Sequence, residues 1–185
     1  MFSFCPACAS EKIEFSNGRL FRCPDCGFVY YHNTAAATGC IISVPDDDTC
    51  AHGERLLFLV RGREPAKGKL DLPGGFVDPG EGALDGLCRE LREELGWSPS
   101  FPPGATLADV FTLFASFPNV YLYRGIDYNT CDLFFHVHAP GLSEQDLCLE
   151  RSEIAAVRLL RPQDIDLGEI AFDSIRRALK VYLGG

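Results

Sequence analysis

Apolar residues along the chain follow two different periods. Residues 35–44 and 54–60 are apolar, β-branched runs separated by the polar stretch 45–53, which predicts two neighbouring strands joined by a loop. Further strands are predicted over residues 110–114, 120–123, 131–138 and 154–160, where β-branched and aromatic side chains cluster. Two other segments repeat at the helical period. Residues 83–95 end at Gly96, which tolerates the left-handed turn that closes a helix, and residues 169–183 place Ala171, Phe172, Ile175, Ala178, Leu179 and Tyr182 on one stripe. Helices with one apolar face bury it on a sheet, so the pattern predicts a layered α/β or α+β fold around a mixed sheet.

The first thirty residues read differently. Residues 12–16 and 19–22 flank Asn17-Gly18, the strongest short signal for a tight hairpin turn. No internal repeat, low-complexity tract or long linker interrupts the rest of the chain, and the one boundary falls near residues 30–35. The chain is therefore expected to carry a small unit over residues 1–34 and a main domain over residues 35–185.

Composition supports a packed core, with 46% hydrophobic and 23% charged residues. No apolar run reaches the roughly 20 residues that span a bilayer, and Met1-Phe2-Ser3-Phe4-Cys5 lacks the basic start of a signal peptide, so a cytoplasmic protein without membrane contact is expected. A net charge of -9 argues against a general binder of phosphate backbones, leaving room only for a local basic pocket.

Of the nine cysteines, four form Cys5-Pro-Ala-Cys8 and Cys23-Pro-Asp-Cys26. The hairpin between these two knuckles brings them together, and four thiolates leave no open position for water, so the expected role is a structural zinc site. A redox role for the two pairs is the alternative, but neither sits at a strand-to-helix junction. The segment resembles a zinc ribbon. Its Lys12, Arg19 and Arg22 are offset by Glu11, Glu14, Asp25 and the thiolates, which speaks against a nucleic-acid role.

The centre of the chemistry is the stretch from Gly75 to Trp97. On a helix Glu90, Glu93 and Glu94 stand at i, i+3 and i+4 and share a face. Like charges there cost about 0.2 to 0.5 kcal/mol per pair, and acidic residues in a last helical turn also oppose the helix dipole. A divalent cation reverses that balance, because Mg²⁺ prefers carboxylate oxygens and bridges to substrate phosphate. A solvated acidic face is the alternative. Upstream, Gly74-Gly75 lets the backbone approach closely, and Asp78-Pro79-Gly80 turns the chain back to the helix start. Glu81 lies at that start, serving either the helix dipole or the support of the site.

The spacing from Gly75 through Glu81 to Arg89-Glu90-Leu91-Arg92-Glu93-Glu94-Leu95-Gly96 matches the signature of the Nudix family, with Trp97 where an aliphatic residue is usual. The resemblance covers most of residues 36–183 and implies an α/β/α sandwich that hydrolyses a nucleoside diphosphate linked to another moiety. It implies Mg²⁺ or Mn²⁺ held by Glu90, Glu93, Glu94 and a carbonyl of Gly74 or Gly75, with Glu93 or Glu94 activating water and Arg89 orienting a glutamate. Glu153, with Glu150 as competitor, is the candidate for a later glutamate that completes such sites.

Arg61 and Arg63 precede the glycine pair and are candidates for substrate phosphate, while Asn119, Tyr121 and Tyr123 offer hydrogen bonds and a stacking surface. A zinc ribbon before a Nudix domain is also the architecture of NADH pyrophosphatases. Their Ser-Gln-Pro-Trp motif is absent, since residues 115–119 read Ala-Ser-Phe-Pro-Asn. ADP-ribose or NADH is thus the expected substrate class, and a homodimer is implied by many relatives. The rival readings are a ribbon-based RNA-binding or RNA-processing protein and a non-catalytic nucleotide sensor of the same fold. His136 and His138 share a strand face and receive no role.

Overall fold

A computed structural model describes residues 2–46, 53–100 and 103–184. The chain divides into two compact units, Met1–Thr34 and Ala35–Gly185.

The smaller unit is a three-stranded antiparallel sheet of β1 (Glu14–Ser16), β2 (Leu20–Arg22) and β3 (Val29–Tyr31). Asn17 and Gly18 take φ of 53° and 70°, the left-handed pair on which a tight hairpin turn depends. The third strand was not expected from the sequence. Phe21 fills the small core beneath Phe2, Phe15 and Tyr30.

The larger unit is built on six strands: β4 (Ala35–Asp46), β5 (Gly53–Arg61), β6 (Leu70–Asp71), β7 (Thr112–Tyr123), β8 (Ile126–His138) and β9 (Ile154–Leu160). Their order is β6-β5-β4-β8-β7, with β9 also paired to β5. β4 and β8 run parallel and the other pairs antiparallel, so the sheet is mixed as expected. Within the predicted loop, Pro45 and Asp46 end β4 and Gly53 begins β5; the rest of it lies outside the described residues.

Alternation along β4 sorts its side chains between two cores. Cys40, Ile42 and Val44 pack with Leu87, Leu91 and Leu95 of α1 (Ala83–Leu95). Ile41, together with Phe134 of β8, packs on the other face against Ile175, Ala178 and Leu179 of α3 (Asp173–Tyr182). One helix on each face makes the α/β/α sandwich. Gly96, at φ 62°, closes α1 as expected, and Trp97 packs its ring against the first of these cores.

Three expectations need correction. Val110 belongs to the four-residue helix α2 (Leu107–Val110), and the strands predicted over 110–114 and 120–123 are one strand, β7, running through Pro118. Pro118 is tolerated because β7 is an edge strand. The last helix starts at Asp173, not at residue 169: Ile170 bridges to Leu70 and the Ala171 N–H donates to the Leu70 carbonyl, which holds this segment extended. Among the described residues, no helix is long and apolar enough to cross a membrane.

Candidate active site and cysteine cluster

The four knuckle cysteines converge. Cys5 and Cys26 Sγ lie 3.6 Å apart and Cys8 and Cys23 Sγ 3.7 Å apart, with all four sulfurs within 4.8 Å of one another. Tetrahedral thiolates at a zinc–sulfur distance of about 2.3 Å stand about 3.8 Å apart, so the cluster fits that ion. Cys5 and Cys23 are buried and Cys8 and Cys26 exposed.

In the larger unit a cleft of about 390 Å³ opens between the start of β4, the Gly74–Gly75 loop and the β7–β8 hairpin. The two loop glycines meet different neighbours. Gly74 takes φ of 138°, and a Cβ there would collide with the Thr38 carbonyl. A Cβ on Gly75 would stand 2.6 Å from the Glu90 carboxyl, so this glycine lets that carboxylate approach the loop.

Glu90 and Glu94 line the cleft from α1, and Glu153 faces them from the start of β9. The Gly74 N–H donates to Glu94 Oε2 at 2.8 Å. Burial nevertheless pushes the Glu94 carboxyl well above the usual carboxylate range, and Asp71, Glu90 and Glu153 add to that rise. Burial also raises Glu90, where the Arg89 guanidinium opposes the shift. Carboxylates whose charged forms are disfavoured by burial and by one another are the oxygen donors that a hard divalent cation satisfies. They are spread more widely than the cysteines, each on its own partner: Glu94 on Gly74, Glu90 on Arg89, and Glu153 on Arg63 at 2.6 Å. Gly75 also lines the cleft, with its carbonyl accepting the Thr38 N–H at 2.8 Å.

Glu93 stands apart. Its side chain is 59% exposed, does not line the cleft and pairs with Arg89. Arg89 is the hub of this helix. Its Nε and Nη2 donate to the two Glu81 oxygens at 2.9 and 3.1 Å, Nη1 to Glu90 and Glu93, and Nη2 also to the Phe76 carbonyl. Glu81 thereby supports the site as well as receiving the Asp78 N–H. Glu150, the competitor of Glu153, accepts the Ser152 N–H and lies outside the cleft.

All four residues assigned to substrate, Arg61, Arg63, Asn119 and Tyr121, line the same cleft. Arg61 is committed to the buried Asp71 and lies over the Phe172 ring at 5.0 Å. Tyr121 contacts Phe76 and Phe172 at ring distances of 5.8 and 5.7 Å, forming an aromatic wall with Tyr123. Sequence reasoning missed Asp71, Asp132, Phe76 and Phe172, which carry no local motif. His136 and His138 instead meet Ser43 Oγ at 2.9 and 3.2 Å, outside the cleft.

Comparison with known proteins gives this arrangement a lineage. The NAD-capped RNA hydrolase NudC of Stutzerimonas stutzeri is 29% identical over 93 residues, which are 50% of this chain and 30% of that protein. The ADP-ribose pyrophosphatase of Methanocaldococcus jannaschii is 34% identical over 71 residues, 38% of this chain and 37% of that protein. The chain thus covers about a third of each relative's length. A Nudix hydrolase crystal structure from Nitrosomonas europaea aligns with a TM-score of 0.60 at 24% identity, covering 99% of this chain and 91% of that one. The family model of the NUDIX domain matches residues 34–179. That match runs from the first strand of the larger unit into its last helix, with the glutamate helix and its glycine loop at the centre, and the chain belongs to the Nudix family.

Proposed function

We propose that the protein is a divalent-cation-dependent pyrophosphohydrolase that cleaves a nucleoside diphosphate linked to a second group, with ADP-ribose and NADH as the leading substrates. The observation that carries this reading is one cleft with two unlike walls: carboxylates from α1 and β9 on one side, aromatic and amide side chains of β7 on the other. A diphosphate with an attached base spans such a division.

Glu90, Glu94 and Glu153 would hold Mg²⁺ or Mn²⁺ there, and the cation when bound neutralises the diphosphate oxygens and lowers the pKa of water. Of Glu93, Glu94 and Glu153, the first does not line the cleft and the last is paired with Arg63, so the Glu94 carboxylate takes the proton of the attacking water. Arg89 positions Glu90 and the Phe76 loop. Arg63 reaches the mouth of the cleft, where its guanidinium, released from Glu153, pairs with phosphate. Tyr121 and Phe172 provide the stacking surface for the base.

The relatives named NAD-capped RNA hydrolase add a dinucleotide at an RNA end to the candidate substrates. The test is a panel of ADP-ribose, NADH, NAD-capped RNA and a nucleoside triphosphate with Mg²⁺ or Mn²⁺, scored by products. The expected result is release of AMP from ADP-ribose or NADH. Cation-independent turnover, or tight binding of all four without cleavage, contradicts the proposal, the latter in favour of a nucleotide sensor.

A further inference from the structure

On β8, in the same cleft, lies a carboxylate that the proposed hydrolysis does not use. Asp132 of β8 is 9% exposed and lines the cleft beside Asp71. The two differ in their bonding. Asp71 is fully engaged, with Arg61 on Oδ2 and the Leu72 N–H on Oδ1. Asp132 receives one hydrogen bond among the described residues, from the buried Ser174 hydroxyl of α3 to Oδ2 at 2.6 Å. No described donor reaches Oδ1, and that oxygen is not sealed in the core, since the described residues contain only one fully buried polar side-chain atom without a partner, Arg55 Nε.

The surroundings of Asp132 suit a flat ring. In the β7–β8 register Phe117 faces Asp132, Asn119 faces Thr130 and Tyr121 faces Tyr128, so alternate residues of both strands point to the face that carries the cleft. Tyr121 and Phe172, in ring contact with each other, and Phe134 and Ile175 line the same cleft. An acceptor that is nearly buried among apolar rings and beside a second carboxylate costs free energy unless a donor meets it.

We infer that Asp132 is a specificity-determining residue of a nucleobase subsite and selects a base that carries an exocyclic amine, the amine donating to Oδ1 while the ring lies against Tyr121 and Phe172. This rests on the proposed function, because it assumes that the base of the substrate lies against the β7 and β8 side chains of the cleft. Adenine, with its 6-amino group, and guanine, with its 2-amino group beside N1–H, share this chemistry. Hypoxanthine presents a carbonyl where adenine has its amine, and that oxygen would face the carboxylate without a proton between them. A site built around a hydrogen bond rejects the analogue that lacks it more strongly than an apolar pocket rejects a change of size.

The experiment compares kcat/KM for ADP-ribose, GDP-ribose and IDP-ribose on the wild-type protein and Asp132→Asn, alongside calorimetric binding of AMP, GMP and IMP to both. Expected for the wild type is a preference of about tenfold or more for ADP-ribose or GDP-ribose over IDP-ribose, with the better of the two identifying which amine is read. In Asp132→Asn the amide donates to the hypoxanthine oxygen, so the ratio of ADP-ribose to IDP-ribose falls at least about fivefold, carried by KM. A general loss of packing would lower all three alike. Equal treatment of the three by the wild type, or an unchanged ratio in the variant, overturns the assignment. The wild-type comparison needs no variant to fold. If nothing is hydrolysed, the proposed function fails, and binding decides Asp132 separately: AMP or GMP held more tightly than IMP supports it, and equal affinities for all three refute it.

Discussion

Glu94 shows how a residue proposed to act in catalysis can work against stability. Its carboxyl is pushed well up by burial and by neighbouring carboxylates, so its folded pKa lies above the unfolded value. Such a group contributes stability below about pH 4, the unfolded glutamate range, and loses it as pH rises through the folded pKa. In the presence of a chelator, Glu94→Gln should therefore melt a few degrees above the wild type at pH 8, about 1 kcal/mol, and level with it near pH 4. Calorimetry across this range checks it, and a variant less stable at pH 8 contradicts it. Arg89 is the opposite case, a half-buried brace whose guanidinium is held far toward the charged form by Glu81. Arg89→Ala should cost about 2 kcal/mol by denaturant unfolding, since it strands Glu81 and Glu90 at once. Arg89 and the helical glutamates were legible because they stand within one helical segment. The Arg63–Glu153 pair was not, because its partners are 90 residues apart and only the β5–β9 pairing joins them.

At the scale of elements, helix α1 was read to the residue because its apolar stripe and Gly96 agree with each other. Gly96→Ala should cost about 1 kcal/mol or more, as the left-handed φ disfavours a side chain and its Cβ would stand 2.8 Å from that of Cys148. Thermal unfolding measures this, and an unchanged midpoint would refute it. Where local pattern and tertiary pairing disagree, pairing prevails. Ala171 and Phe172 continue the stripe of α3 in sequence, yet the Leu70 carbonyl takes the Ala171 N–H and delays the helix to Asp173. That delay has a consequence for the cleft. An extended residue 172 puts its ring beside Arg61 and Tyr121, where a helical stripe would have sent it into the core. The separate strands predicted over 110–114 and 120–123 differ from the structure in the same way, since both belong to β7, whose open edge accommodates Pro118.

Over the whole molecule, two units of different construction are proposed to carry two kinds of metal chemistry. The ribbon has few buried apolar residues and a tight thiolate set, so a structural ion should supply much of its folding free energy. One zinc per chain is expected by atomic absorption, lost in a Cys5→Ser, Cys23→Ser double variant; metal-free wild-type protein would contradict that. The larger unit has two apolar cores of its own, so its proposed cation would serve the reaction rather than the fold. Cation-dependent hydrolysis is assigned above all to the Glu94 face of the cleft. The most direct test is the Mg²⁺-dependent turnover of Glu94→Gln on whichever panel compound the wild type cleaves fastest, with AMP release followed by chromatography. Turnover should fall at least about a hundredfold in a variant that remains folded. Turnover within a few-fold of the wild type would contradict a catalytic role for this carboxylate.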